Sequence, residues 1–334
     1  MKVLVTGGAG FIGRHTVELL VARGYEVAVI DYAPGGKEQL GLKGQVNYYD
    51  LDIGSEQLAD IFEQERPDYC IHLAGQISVK RSLQDPFVDA KTNIMGTIHL
   101  LRQCVRYEVK KVIFSSSAAV YGNPIELPIG EDHETSPLSF YGMSKRVSEM
   151  YIQTFAERYG LNYGILRYAN VYGMRQTSGG EGGVVAIFID RLLHKLPVTI
   201  RGDGTQTRDF IYVKDVAEAN IAALTRGDRE VMNISSRQPV SIAALLHLLE
   251  GLTPPHRQLL YERAVEGDIV HSLLDNRKAR RLLDWEPVYS LSDGLQETVH
   301  YEASCLLSSV GRAQTDTLPP FTGKTADPSS SIRI

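Results

Sequence analysis

Short β-branched runs alternate with longer stretches of helical periodicity through residues 1–167, and this alternation restricts the fold more than any other feature of the chain. Strands are expected at Lys2–Thr6, Glu26–Asp31, Val46–Asp50, Tyr69–Leu73, Lys111–Ser116 and Tyr163–Arg167. Between them, Ile12–Arg23 reads as a helix closed by Gly24, at a position where a helix end favours positive φ. Phe87, Ala90, Ile94, Ile98, Leu101 and Val105 recur at helical spacing and predict a helix over Phe87–Arg106. A further helical pattern covers Tyr141–Tyr159. Strands that alternate with helices form a parallel sheet wound on both faces, so the expected fold class is α/β.

The regularity weakens after Tyr168. A Gly-rich loop, Ser178 to Gly183, precedes an apolar helix pattern over Val184–Leu193. Asp209–Val213 reads as a strand, Asp215 as the cap of a helix through Leu224, and Val231–Ser235 as another strand. At 334 residues the chain exceeds a single typical core. Residues 168–304 are therefore expected to form mainly a smaller C-terminal α/β substrate lobe, with segments near 205–235 returning to the large sheet. Residues 305–334 lose all periodicity and are expected to be a tail. A net charge of -5 gives no reason to expect nucleic acid or an anionic membrane as partner. No apolar run reaches the ~20 residues of a membrane span, and no signal-peptide pattern opens the chain. Cys70, Cys104 and Cys305 lack metal-ligand spacing, so no metal is expected. Cys70 and Cys104 fall in apolar runs, as buried thiols of a reducing compartment do. A cytoplasmic protein is expected.

Gly7, Gly10 and Gly13 follow the first strand at once and open the first helix. A turn this sharp needs residues without Cβ, and the helix N-terminus offers unpaired N–H groups to a pyrophosphate. Glycine triplets also make ordinary tight turns; this one stands on the first strand–helix junction of an alternating chain, where a Rossmann-type sheet holds a dinucleotide. Asp31 ends the second strand, about 20 residues past the turn, where a carboxylate accepts ribose hydroxyls and repels a 2′-phosphate. NAD is preferred over NADP on that ground. The plainer alternative is that Asp31 only caps a strand end.

Tyr141 and Lys145 are four apart on one helix face. A phenol with its usual pKa near ~10 is a poor base, and bringing it to neutral pH requires roughly 4 kcal/mol of differential stabilisation. A neighbouring ammonium and a positive nicotinamide ring both favour the phenolate. Tyr107 and Lys111 share the spacing, but Tyr107 ends a helix and Lys111 opens a strand. The Tyr141 pair instead follows Ser115-Ser116-Ser117 at the carboxyl end of a strand, where doubly wound sheets bind ligands.

These segments resemble a known family. Gly7-Gly8-Ala9-Gly10-Phe11-Ile12-Gly13, Ser115-Ser116-Ser117-Ala118-Ala119-Val120-Tyr121-Gly122 and Tyr141-Gly142-Met143-Ser144-Lys145 look like the NAD-dependent sugar epimerases/dehydratases, which are extended short-chain dehydrogenases/reductases. Leu166–Gly173 and Gly202–Phe210 extend the likeness, which covers residues 1 to about 300 and is greatest to the UDP-glucose 4-epimerases. The resemblance implies that Phe11, Ile12, Asp31, Asp52, Ile53, Leu73, Ala74, Asn93, Tyr168 and Ala169 line NAD, with Ser115 on the same side. It implies that Ser117, Tyr141 and Lys145 are catalytic, and that Asn170 and Arg208 hold a UDP diphosphate. A surface ion pair of Arg208 with Asp209 or Asp215, and a turn-stabilising amide at Asn170, are the plainer alternatives. In the family's mechanism a tyrosinate takes the sugar 4-hydroxyl proton while C4 gives up a hydride, which later returns to the opposite face.

Dehydratases and decarboxylases of the superfamily commonly carry an acidic residue just after the catalytic hydroxyl. Ala118 and Ala119 stand there, and neither moves a proton. The expected activity is thus UDP-hexose 4-epimerisation, with a nucleotide-sugar dehydratase or decarboxylase as the enzymatic alternative. A NAD-sensing regulator is the non-enzymatic one, disfavoured by the intact Tyr/Lys pair. Three positions depart from the pattern: Val265 replaces a diphosphate-binding arginine, for which Arg263 could substitute; Arg201 stands where an aromatic often stacks on uracil; and Ile77 replaces a lysine. Ser272 aligns with the family's sugar-pocket gate, and its small side chain resembles forms that admit N-acetylated sugars. Lys80 or Arg81 could instead meet a uronic acid carboxylate. A homodimer through the helices Phe87–Arg106 and Tyr141–Tyr159 is expected on the resemblance alone.

Overall fold

A computed structural model describes residues 1–315 other than 34, 180–182, 256–257 and 264–268. In chain order its elements are β1 (Lys2–Thr6), α1 (Phe11–Ala22), β2 (Glu26–Asp31), α2 (Gly36–Leu40), β3 (Val46–Asp50), α3 (Leu58–Glu65) and β4 (Tyr69–His72). There follow α4 (Val79–Gln84), α5 (Pro86–Ala90), a π-turn (Lys91–Met95), α6 (Gly96–Arg106), β5 (Lys111–Ser117), α7 (Phe140–Tyr159), β6 (Asn162–Tyr168) and β7 (Asn170–Tyr172). The remainder comprises α8 (Val184–Leu193), β8 (Val198–Arg201), β9 (Thr207–Tyr212), α9 (Val213–Thr225), β10 (Glu230–Ile234), β11 (Pro239–Ser241), α10 (Ile242–Leu252), β12 (Leu259–Glu262), α11 (Arg277–Leu283) and α12 (Leu291–Thr315).

Seven strands form one parallel sheet in the order β10-β6-β5-β4-β1-β2-β3. The inner strands are apolar on both faces, as a sheet covered by helices on each side requires, and the two layers pack separate cores. The strand order reverses between β1 and β4. At such a reversal the connections leave in opposite directions and open a crevice at the carboxyl ends of the strands. Thr207–Tyr212 does not join this sheet; β9 lies between β7 and β11 in a three-stranded sheet, and β8 pairs with β12. A third apolar cluster joins α8, α10 and α12 to these strands.

Three expectations need correction. The stretch Phe87–Arg106 is helical but not one regular α-helix: the π-turn inserts between α5 and α6. Within that turn the Asn93 carbonyl accepts from Thr97 Oγ1 (2.6 Å) and Ser148 Oγ (2.8 Å), replacing regular ladder bonds. Asp215 does not cap its helix. Tyr212 occupies the N-cap position, and the Asp215 carboxylate in the first turn accepts from the backbone N–H of Val288 (3.0 Å) and Tyr289 (3.3 Å). Finally, α12 runs through position 305 to Thr315, because a helix once nucleated extends at little further loss of freedom; residues 316–334 lie outside the described residues. No helix among the described residues is long and apolar enough to cross a membrane.

Candidate active site

The turn after β1 closes on itself: Gly10 N–H donates to Gly7 O at 3.1 Å, and Arg14 N–H to Gly10 O at 3.0 Å. Gly7 has φ +70°, and a Cβ there would stand 2.6 Å from the Ala74 backbone nitrogen on β4's exit. A Cβ on Gly13 would stand 2.0 Å from Gly7 O. Gly10 supplies no side-chain cap to α1, so the amides of the first turn face the crevice as an anion cradle. Asp31 Oδ2 accepts from Ala9 N–H at 2.8 Å at the same edge. Burial raises the Asp31 pKa, opposed by backbone amides that include Ala9 and Gly10.

The crevice has a volume of about 780 Å³. Gly7, Gly10, Phe11, Ile12, Gly13, Asp31, Asp52, Ile53, Leu73, Ala74, Ser115, Tyr141, Lys145 and Tyr168 all line it. Asp52 Oδ1 accepts from Gly54 N–H (2.7 Å) and shapes the loop after β3. Leu73 and Ala74 are tied to Thr6 by 3.0 and 3.3 Å bonds. Tyr168 directs its hydroxyl away from acid–base work, to Asn220 Oδ1 at 2.6 Å, and burial raises its pKa. These residues suit a dinucleotide: an amide cradle for the diphosphate, a carboxylate for the ribose and apolar walls for the rings.

Asn93 and Ala169 are not part of that wall. The Asn93 side chain lies one layer behind it, accepting from Gln76 N–H (2.8 Å) and donating to Gln76 O (2.9 Å) and Ser144 Oγ (3.0 Å). Ala169 N–H continues the sheet by donating to Ile234 O at 3.0 Å.

At the inner end β5 and α7 bring the reactive groups together. Ser139 caps α7, accepting from Gly142 N–H at 3.1 Å, and thereby sets Tyr141 in the first turn. Lys145, one turn on, is buried and donates to Ser115 O at 2.9 Å. Its Nζ lies 6.0 Å from the Tyr141 ring centroid. Burial pushes the Lys145 ammonium down to about 8, against the opposing pull of the Asp89 and Glu149 carboxylates. Tyr141 is half-buried as a residue, but its hydroxyl end is enclosed. Enclosure raises its pKa; the hydrogen bond with Ser117 lowers it and Asp89 raises it further. The lysine alone therefore does not bring the phenol toward neutral pH.

Asn170, Arg208 and Ser272 do not line the crevice; they share a patch of the smaller sheets. Asn170 pairs with Phe210 across β7 and β9, Arg208 Nη1 donates to Thr207 O (2.9 Å) and Val270 O (3.3 Å), and Ser272 N–H donates to Thr207 O (3.2 Å). Asp209 turns inward, accepting from Ser236 N–H (3.0 Å), Ser236 Oγ (2.7 Å) and Leu274 N–H (3.2 Å). Arg263 is exposed, and Val265 lies outside the described residues.

Sequence reasoning missed the layer beneath the pair. Glu149, one turn beyond Lys145, is fully buried and bonded to Arg167 (2.9 and 2.7 Å), Arg146 (3.2 Å) and Ser116 (2.5 Å). Asp89 is likewise buried and accepts from Gln76 Nε2 at 2.7 Å. Their helical spacing to Lys145 and Asn93 was the available signal, since charged residues rarely turn inward without a partner.

A sequence model of the NAD dependent epimerase/dehydratase family matches residues 3–235. A UDP-glucose 4-epimerase of Mycolicibacterium smegmatis is 36% identical over 308 residues, covering 90% of this chain and 98% of that one. The structure is similar to the UDP-glucose 4-epimerase of Thermotoga maritima solved with UDP-glucose, with a TM-score of 0.89, 44% identity, and 92% and 100% of the two chains covered. It is also similar to the UDP-N-acetylglucosamine 4-epimerase of Methanobrevibacter ruminantium in complex with UDP-N-acetylmuramic acid, with a TM-score of 0.86, 34% identity, and 91% and 98% covered.

Proposed function

The chain belongs to the NAD-dependent epimerase/dehydratase family, and from that premise we propose that it is a UDP-hexose 4-epimerase. The observation that carries this reading is the meeting of Tyr141 and Lys145 at the inner end of the crevice, with Ser117 hydrogen-bonded to Tyr141 and apolar Ala118 and Ala119 following it. The glycine turn and Asp31 would hold NAD, which would supply the hydride acceptor for the sugar C4. Tyr141 takes the proton of the sugar 4-hydroxyl as general base and returns it as general acid on the reverse step. Ser117, hydrogen-bonded to Tyr141, orients the same oxygen. Lys145, fixed by Ser115 O, holds positive charge beside the phenol. Elimination or decarboxylation would need a proton-moving group after Ser117, and the short helical turn Ala118–Val120 offers methyl groups there.

UDP-glucose and UDP-galactose are the proposed pair. UDP-N-acetylglucosamine is admitted if the small side chain of Ser272 leaves room at the sugar end, and Asn170 and Arg208 are proposed to hold the diphosphate. A second reading, UDP-glucuronate, is favoured by one observation: Arg81 lines the crevice. Offering the purified protein UDP-glucose, UDP-N-acetylglucosamine and UDP-glucuronate without reductant, with products read by NMR, separates these. A C4 epimer of UDP-glucose is the expected product; a 4-keto-6-deoxy sugar overturns the reading, and conversion of the uronate alone moves it to the second. A homodimer is proposed through the face that carries exposed Phe87, Met95 and Met150.

A further inference from the structure

Behind the wall of the crevice, Asp89 on α5 is 1% exposed. Its Oδ1 accepts from Gln76 Nε2 (2.7 Å) and Asn93 Nδ2 (3.2 Å), while Oδ2 is buried with no hydrogen-bond partner among the described residues. No cation forms a salt bridge with it among those residues. A buried carboxylate in that condition is costly unless a charge nearby balances it. A buried cation stands on α7, which packs against α5: the Lys145 ammonium has a carbonyl, not a carboxylate, as its hydrogen-bond partner. Two bridges connect them. Gln76 and Asn93 hold the loop through Gly75, where a Cβ would stand 2.9 Å from Asn93 Oδ1 and 3.5 Å from Lys145 Nζ. Asn93 also donates to Ser144 Oγ (3.0 Å), which donates to the Tyr141 carbonyl (3.0 Å).

The other charges around Lys145 are already balanced or absent. Glu149 on the same helix is neutralised by Arg167 from β6 and by Arg146. His72 on β4 is enclosed between Thr6 Oγ1 (2.7 Å) and Thr97 Oγ1 (2.9 Å), and burial pushes it down to about 3, so it is uncharged at neutral pH. Lys80 and Arg81 on α4 and Lys91 on the π-turn are exposed, and β5 presents serines and Phe114. Among the described residues, Asp89 is the buried carboxylate near Lys145 for which no salt bridge is formed.

We propose that Asp89 is a positioning residue of the active site, whose carboxylate serves as the buried counter-ion of the Lys145 ammonium and sets the pH range in which Tyr141 and Lys145 work together. The inference rests on the reading of those two residues as the acid–base pair. Its negative charge favours the protonated form of both neighbours, so removing it moves both ionisations in one direction, to lower pH.

Asp89→Asn tests this in the NAD-bound enzyme. Asparagine accepts the same two hydrogen bonds through Oδ1 and places its amide where no partner is lost. Both limbs of the kcat–pH profile are expected to move down by about 0.5–1 pH unit, with KM for the UDP-sugar unchanged. Ultraviolet titration of the Tyr141 phenol, isolated by subtracting a Tyr141→Phe protein, should show the same displacement without any turnover. That readout decides the role of Asp89 even if no UDP-sugar is a substrate. Asp89→Ser serves as the second variant if the first does not fold. A titration and profile that overlay the parent's in a folded variant, whatever the loss in rate, overturn the proposal.

Discussion

In the proposed reaction the Tyr141 hydroxyl gives and takes a proton in a place where burial opposes its ionisation. What the protein sets against that is the hydrogen bond with Ser117; the Lys145 ammonium, itself weakened by burial, stands one helical turn away. Replacing Tyr141 with Phe removes the proton carrier and leaves the ring, and kcat should fall about 10²- to 10⁴-fold with bound NAD and the melting temperature unchanged. Steady-state rates and the 260 nm absorbance of released cofactor check both halves. The lysine makes a separate prediction about stability. Its pKa is about 8 in the folded protein against 10.5 ordinarily, so the unfolded chain binds more protons between those values and stability gained from this site rises with pH across them. Below pH 8 the burial penalty stands in full, about 3 kcal/mol, and above 10.5 it is gone. In urea unfolding, the parent should gain on Lys145→Met by about 2–3 kcal/mol over that window; a constant difference contradicts the assignment. The Tyr/Lys spacing and the serine run were legible because they lie on a known helix face and a strand end. Asp89 was not, since its importance depends on Gln76 and Asn93 meeting it in space.

At the scale of elements, the glycine turn and the buried charges on α7 carry the site by different physics. The turn is a steric device: Gly13→Ala places a methyl 2.0 Å from Gly7 O, so the backbone must move and the amide cradle with it. Loss of retained NAD and a destabilisation of about 1–3 kcal/mol are expected, read by cofactor content and urea denaturation. The α7 charges are an electrostatic device joining β5, β6 and α7 through Ser116, Arg167 and Glu149. Arg167→Met leaves Glu149 buried with only the partly exposed Arg146, and should cost about 3–5 kcal/mol; a loss below about 1 kcal/mol would show the pair to be dispensable. The strands of the large sheet were legible to within a residue or two, because apolar β-branched runs bounded by glycine and polar residues have few other uses. The π-turn at Lys91–Met95 was not, as one extra residue barely disturbs a helical repeat. Asp215 misled for a related reason: an acidic residue near a helix start caps in isolation, whereas here it serves Val288 and Tyr289 from a distant segment.

Across the whole molecule, the large sheet brings the glycine turn, Asp31, Tyr141 and Lys145 to one crevice, while Asn170, Arg208 and Ser272 lie at the smaller sheets, outside its lining. That smaller part was hard to read from sequence because its sheets are short and assembled from distant pieces, as in the bridge from Thr207 to His271. Exposed Phe87 and Met150 on neighbouring helices make the proposed dimer testable: light scattering should report two subunits, and one for a Phe87→Asp/Met150→Asp protein with its secondary structure intact. The proposed epimerisation turns on the sugar C4, and an isotope at that carbon follows it through the reaction. UDP-glucose carrying deuterium at C4 is incubated with the NAD-bound protein in ordinary water, and the products are read by NMR. UDP-galactose with the deuterium still at C4 is expected, since the hydride leaves and returns within one closed site. A 4-keto-6-deoxy product, or an epimer whose C4 label has been lost to water, would contradict it.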